Sequence, residues 1–175
     1  MELVCWSTQY LEEFYAATNA KSDVRSPSIQ LVRWLPPQGQ TYKANVDGAV
    51  FAELKVVGIG VIIRDKEGKV KAALSKKINV PLGPVEAEAK AFEMGIQFAK
   101  DVGIRDVLIK GDSLIVQCAL NELVSPPPLL DAVILGMHAT CADFHHIAFT
   151  HVHCQENKSA HLLAKYAKDI DDVSV

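Results

Sequence analysis

Apolar and polar positions change their spacing along this chain, and each change predicts a different element. From residue 42 to 78 the apolar residues form short β-branched runs broken by turn residues, which predicts strands over 42–50, 56–63 and 70–78. The second run is interrupted by Gly58 and Gly60, and Arg-Asp-Lys-Glu-Gly-Lys supplies turn chemistry for a hairpin before the third. After Pro81 and Pro84 the period lengthens. Val85, Ala89, Phe92, Ile96 and Ala99 recur at three- and four-residue steps, so a helix over 84–102 has one apolar face, with Pro84 in its first turn and Gly103 as its stop. A short buried strand follows at 107–109, then a helix over 113–120. Ser-Pro-Pro-Pro at 125–128 breaks the chain. A helix over 129–144, a strand over 147–153 and a helix over 158–168 complete the pattern.

Antiparallel strands followed by strand–helix alternation imply an α/β domain. Three antiparallel strands and two parallel ones would form a five-stranded mixed sheet with helices on both faces. Right-handed crossovers would bring the two later strands back beside the first. The domain is expected over 41–170, with a tail at 171–175. Residues 1–40 read as an extension and linker, with a short helical pattern around Trp6, Tyr10, Leu11 and Phe14 and a Pro-Pro-Gln-Gly stretch.

Composition changes this picture little. With 175 residues, 49% of them apolar, the chain can bury an ordinary core without disulfides. Cys5, Cys118, Cys141 and Cys154 are scattered and make no zinc-type or redox spacing. No basic leader precedes an apolar run, and no segment approaches the roughly 20 apolar residues of a membrane span. The expectation is therefore an intracellular protein, cytoplasmic or nuclear, without a membrane partner. A net charge of -3 argues against gripping a polyanion by charge alone. Metal ions would have to supply part of any attraction to nucleic acid.

Three acidic residues stand where an apolar strand or helix would not otherwise take a charge. They are Asp47 in Asn-Val-Asp-Gly-Ala, Glu88 in Ala-Glu-Ala-Lys-Ala-Phe, and Asp112 in Lys-Gly-Asp-Ser. A carboxylate at the end of a buried strand costs several kcal/mol unless paired, hydrogen-bonded or bound to a cation. Three converging on one cleft point to a hard divalent ion, which takes oxygen ligands.

Several stretches together carry a resemblance: Trp-Leu-Pro-Pro with Tyr-Lys-Ala-Asn-Val-Asp-Gly-Ala, Gly-Ile-Gly-Val-Ile-Ile-Arg-Asp, Ala-Glu-Ala-Lys-Ala-Phe-Glu-Met-Gly-Ile, Lys-Gly-Asp-Ser and Glu-Asn-Lys-Ser-Ala-His-Leu-Leu-Ala-Lys. In this order, over about 34–167, the chain resembles the ribonuclease H domain, most closely the plant subgroup related to the ribonuclease H segment of non-LTR retrotransposons. The resemblance implies a ribonuclease H-like fold and an endonuclease that cuts the RNA strand of an RNA–DNA hybrid with two Mg2+ ions, Mn2+ being an alternative. It implies that Asp47, Glu88 and Asp112 are catalytic metal ligands, with Glu88 rather than Glu86 as the helix acid. A monomer is expected.

At the fourth ligand position the family often has Asp, where this chain has His161. The resemblance makes His161 the fourth catalytic and metal residue. Imidazole suits manganese and softer ions better than magnesium, so His161 is expected to weaken one metal site and shift the preference toward Mn2+. His151 or His153 would be the candidate mobile histidine for proton transfer, while His145 and His146 are expected at a helix end. Nucleic-acid contacts are assigned to Asn45, Asn157, the backbone at Gly48 and Ala49, and Ser113 at a helix start. No basic helix is available as a handle, because 122–132 holds no Lys or Arg. That absence and His161 sustain an alternative, a catalytically weakened module that binds nucleic acid or protein. A sugar-kinase or actin-like reading would need a second, duplicated half, which a chain of this length cannot hold.

Overall fold

Tyr42–Phe51 (β1), the first of the predicted strands, lies at the middle of a six-stranded sheet. The computed structural model describes residues 41–175; the extension over 1–40, with Trp6, Tyr10, Leu11 and Phe14 and the Trp-Leu-Pro-Pro motif, lies outside them. Val56–Arg64 (β2) and Val70–Ile78 (β3) form the antiparallel meander expected from their turn residues. Asp106–Gly111 (β4) and His146–His151 (β5) run parallel to β1 on its other side. The sheet has one strand more than the five expected. Val173–Ser174 (β6) pairs with Ser75 and Lys76 of β3, giving the order β5-β4-β1-β2-β3-β6. A two-residue strand leaves no periodicity to detect, which is why the sequence pattern ends at the preceding helix.

Helices cover both faces. Pro84–Asp101 (α1) buries Ala87, Ala91, Phe92, Gly95, Ile96 and Ala99. Gly95 lets it sit directly on β1, since a Cβ there would lie 2.4 Å from Val46 Cγ1. Leu114–Leu120 (α2) is capped by the Ser113 hydroxyl, which accepts from Val116 N at 3.4 Å. Asp131–Cys141 (α3) is shorter than the predicted 129–144, because the proline segment ends in a turn, Leu130 N to Pro127 O at 2.7 Å, and a second turn follows Cys141. Lys158–Tyr166 (α4) lies on the opposite face. There Gly58 and Gly60 of β2 admit its backbone: a Cβ would lie 2.0 Å from Ala164 O at Gly58 and 2.1 Å from Ala160 O at Gly60.

The core sits between the sheet and α1. Val46, Ile109, Phe92, Ile96 and Phe149 are fully or almost fully buried there, and the Phe92 and Phe149 rings pack at 6.3 Å. Burying each large side chain of this kind contributes about 1.5–3 kcal/mol. This layer fixes β1 against β4 and α1, the three elements that position the acidic residues. Among the described residues no helix is long and apolar enough to cross a membrane.

Candidate metal centre

Alternation along β1 sends Ala44 and Val46 into the core and Asn45 and Asp47 to the face covered by α4. Asp47 is therefore held on a rigid central strand, 3% exposed. Glu88 reaches it from the first turns of α1. Gly48 allows this approach, because a Cβ there would lie 2.6 Å from the Ala87 carbonyl oxygen. The Gly48 amide in turn donates to Glu88 Oε1 at 3.3 Å. Glu86, two residues earlier, is engaged elsewhere: its Oε2 accepts from Gly83 N at 2.8 Å, which caps the helix. Asp112 follows the last residue of β4. One carboxylate oxygen from each of Asp47, Glu88 and Asp112 lies within 4.8 Å of the others.

Three like charges at this spacing disturb one another. Burial, with the Asp112 charge added, pushes Asp47 up to about 6, against the opposing hydrogen bonds from His161 and Asn157. Burial, then Asp112 and Asp47, push Glu88 up to about 9. Glu88 Oε2 is buried with no hydrogen-bond partner among the described residues. Three clustered carboxylates, one with an orphaned oxygen, are a donor set for a hard cation, which would favour the charged forms of Asp47 and Glu88. The residues present thus fit a divalent ion.

His161 lies one turn into α4, and its Nδ1 is 3.0 Å from Asp47 Oδ2. The ring is about half exposed, so it flanks the acidic group from the solvent side. His151 also borders the site, with Nε2 3.1 Å from the Asp112 carbonyl oxygen, and its ring meets that of His153 edge-on at 5.5 Å. His145 and His146 lie elsewhere. Their Nδ1 atoms are 3.5 and 2.8 Å from the Asp106 carboxylate, at the start of β5.

Of the residues assigned to nucleic acid, Ser113 caps α2 beside Asp112, and Gly48 and Ala49 follow Asp47 on β1. Asn45 and Asn157 are 2% and 1% exposed and bond to each other, Asn45 Nδ2 donating to Asn157 Oδ1 at 3.0 Å. Their side chains are buried links between β1 and α4, closed to a phosphate. No local pattern joins residues 112 positions apart, so sequence spacing could not reveal the pair. Cys154 is exposed, and hydrogen bonding to Asp112, then burial, push its thiol up.

A family model described as reverse transcriptase-like matches residues 45–167, which include all three acids and His161. The chain belongs to the reverse transcriptase-like family. Among solved structures, this family member is similar to RNase H1 from the halophilic archaeon Halobacterium salinarum NRC-1, with 24% identity and a TM-score of 0.69 over 74% of this chain and 98% of that one. It is also similar to the N-terminal RNase H domain of a Mycobacterium tuberculosis protein, at 20% identity and TM-score 0.67 over 75% and 95% of the two chains. LC11-RNase H1, isolated from compost by a metagenomic approach, was solved in complex with an RNA/DNA hybrid; it matches at 19% identity and TM-score 0.67 over 74% and 97%. These likenesses establish the ribonuclease H-like fold of the reverse transcriptase-like chain. No curated protein matches it.

Proposed function

We propose that this chain is a metal-dependent endonuclease that hydrolyses the RNA strand of RNA–DNA hybrids, kin to the plant and retrotransposon ribonucleases H. The observation that carries the proposal is the convergence of Asp47, Glu88 and Asp112 from three different elements, with one oxygen of Glu88 left unpartnered. Mg2+ or Mn2+ held by these residues, with His161 at the margin, would supply Lewis acidity, lowering the pKa of an attacking water and countering charge on the phosphate.

The chain's own residues do the positioning. Asp47 is immobilised by burial and by His161 Nδ1 at 3.0 Å, and Glu88 by the Gly48 amide at 3.3 Å. The backbone after Asp47 and the amides at the start of α2 behind Ser113 are the groups to orient a phosphate. His151, exposed and with Nε2 3.1 Å from the Asp112 carbonyl oxygen, would carry a proton at the site's edge. His161 in place of a carboxylate offers an imidazole nitrogen instead of an oxygen, which favours Mn2+ over Mg2+. The uncharged 123–130 segment offers no cationic handle, so few phosphate charges are neutralised and affinity for the hybrid is low. These two features support a weakened binding module as the second reading.

The test is cleavage of an end-labelled RNA–DNA hybrid in Mg2+ and, separately, in Mn2+, comparing the protein with Asp47→Asn purified in parallel. Cleavage confined to the RNA strand and abolished by the substitution supports the nuclease. Folded protein that cuts in neither metal yet retains the hybrid on a gel supports the binding module.

A further inference from the structure

Asn45 occupies a position on the central strand where an apolar residue would serve the fold better. It is 2% exposed, its Oδ1 has no partner among the described residues, and its single side-chain hydrogen bond goes to Asn157. A buried amide satisfied at one end only is a cost to the fold. What it secures is the start of α4. Asn157 is the residue just before that helix, and its Nδ2 donates to the Val46 carbonyl at 2.7 Å and lies 3.5 Å from Asp47 Oδ1, the outer limit of a hydrogen bond. Its own carbonyl accepts from His161 N at 3.0 Å. The His161 ring then returns to the other oxygen of the same carboxylate. Both oxygens of Asp47 are therefore addressed from α4, and both contacts depend on how the first turn of α4 is seated on β1.

We infer that Asn45 is a positioning residue: through Asn157 it seats the N-terminus of α4 and thereby fixes the rotamer in which Asp47 faces Glu88 and Asp112. The inference deepens the metal-site reading, and only its second readout rests on that reading. Asn45 touches no reacting atom in this account. Its effect passes through Asn157 and His161 to the carboxylate.

The experiment uses the full chain with Asn45→Leu and, in case leucine perturbs folding, Asn45→Ser, which is small enough to fit. Ile63→Val, a methylene removed from a fully buried site on β2, controls for a general loss of stability. The first readout is amide hydrogen exchange at His161 in metal-free protein. Both Asn45 variants are expected to exchange at least about tenfold faster there than Ile63→Val, because the bond to the Asn157 carbonyl opens when the helix start is released. The second is the affinity for Mn2+ alone by titration calorimetry, expected to fall roughly 10–100-fold, as when an outer partner of a metal ligand is removed. Exchange and affinity equal to those of Ile63→Val would overturn the inference. Faster exchange in a protein whose parent binds no Mn2+ would uphold the latch and sink the metal-site reading, so the two fail separately.

Discussion

Val46 and Asp47 are neighbours on β1, and the two faces they belong to are built on opposite principles. The Val46 face is closed and apolar: Gly95 of α1 fits against Val46, with Phe92, Ile96 and Ile109 fully or almost fully buried around it. The Asp47 face carries a buried amide pair and a half-exposed imidazole, and the Asp47 carboxylate meets those of Glu88 and Asp112, with ligand oxygens within 4.8 Å. The first face stabilises the fold at every pH. The second opposes it once its acids ionise, and is held in place by the first. The contrast teaches that the acidic group is maintained against local stability, as a site prepared for a cation would be.

Substitutions that break one face and spare the other sharpen the contrast. The largest effect is expected on the apolar side. Phe92→Ala should lower stability by about 3–5 kcal/mol, as urea denaturation would show. Gly48→Ala strikes where the two faces meet, because its Cβ would fall 2.6 Å from the Ala87 carbonyl oxygen and push the start of α1 away from β1. It should destabilise by about 1–3 kcal/mol. It should also weaken Mn2+ binding by an order of magnitude or more, read by calorimetry.

On the acidic face the sign reverses. Glu88, pushed from its usual 4.5 up to about 9, and Asp47, pushed from 3.8 up to about 6, bind protons more tightly folded than unfolded. The metal-free protein should therefore lose stability as pH rises from about 4 toward 9. Glu88→Gln, which removes one charge and retains an acceptor for the Gly48 amide, should raise metal-free stability at pH 8 by about 1–2 kcal/mol and change it little at pH 4.5. Equal thermal midpoints for parent and variant at pH 8 would contradict this. The smallest effect is at the solvent edge: His161→Asp should shift the ratio of Mn2+- to Mg2+-supported cleavage by no more than roughly tenfold, toward Mg2+.

Much of this was legible in the sequence because the relevant signals are local. The strand pattern of 42–50 isolates Asp47, and the helical stripe from Val85 to Ala99 locates α1. Choosing between Glu86 and Glu88 rested on the family motif, and the structure adds a physical ground in the capping bond from Gly83 N to Glu86. Ser-Pro-Pro-Pro marked a break, yet Leu129 and Leu130 still read as helix, because a turn closed by a backbone bond to Pro127 has no side-chain signature. Nor could spacing show that Asn45 and Asn157 face one another and not solvent. That contact depends on Gly58 and Gly60 admitting α4 onto the sheet, a property of the assembled fold. Long-range polar pairs of this kind have no period.

The central claim, that Asp47, Glu88 and Asp112 form a cation site, is tested most directly by thermal unfolding of the full chain at pH 8 with and without millimolar Mn2+ or Mg2+, alongside Asp47→Asn. The account predicts that the ions raise the parent's midpoint by several degrees, more with Mn2+ than Mg2+, and that Asp47→Asn loses most of the rise. Superimposable parent curves with and without both ions would contradict it.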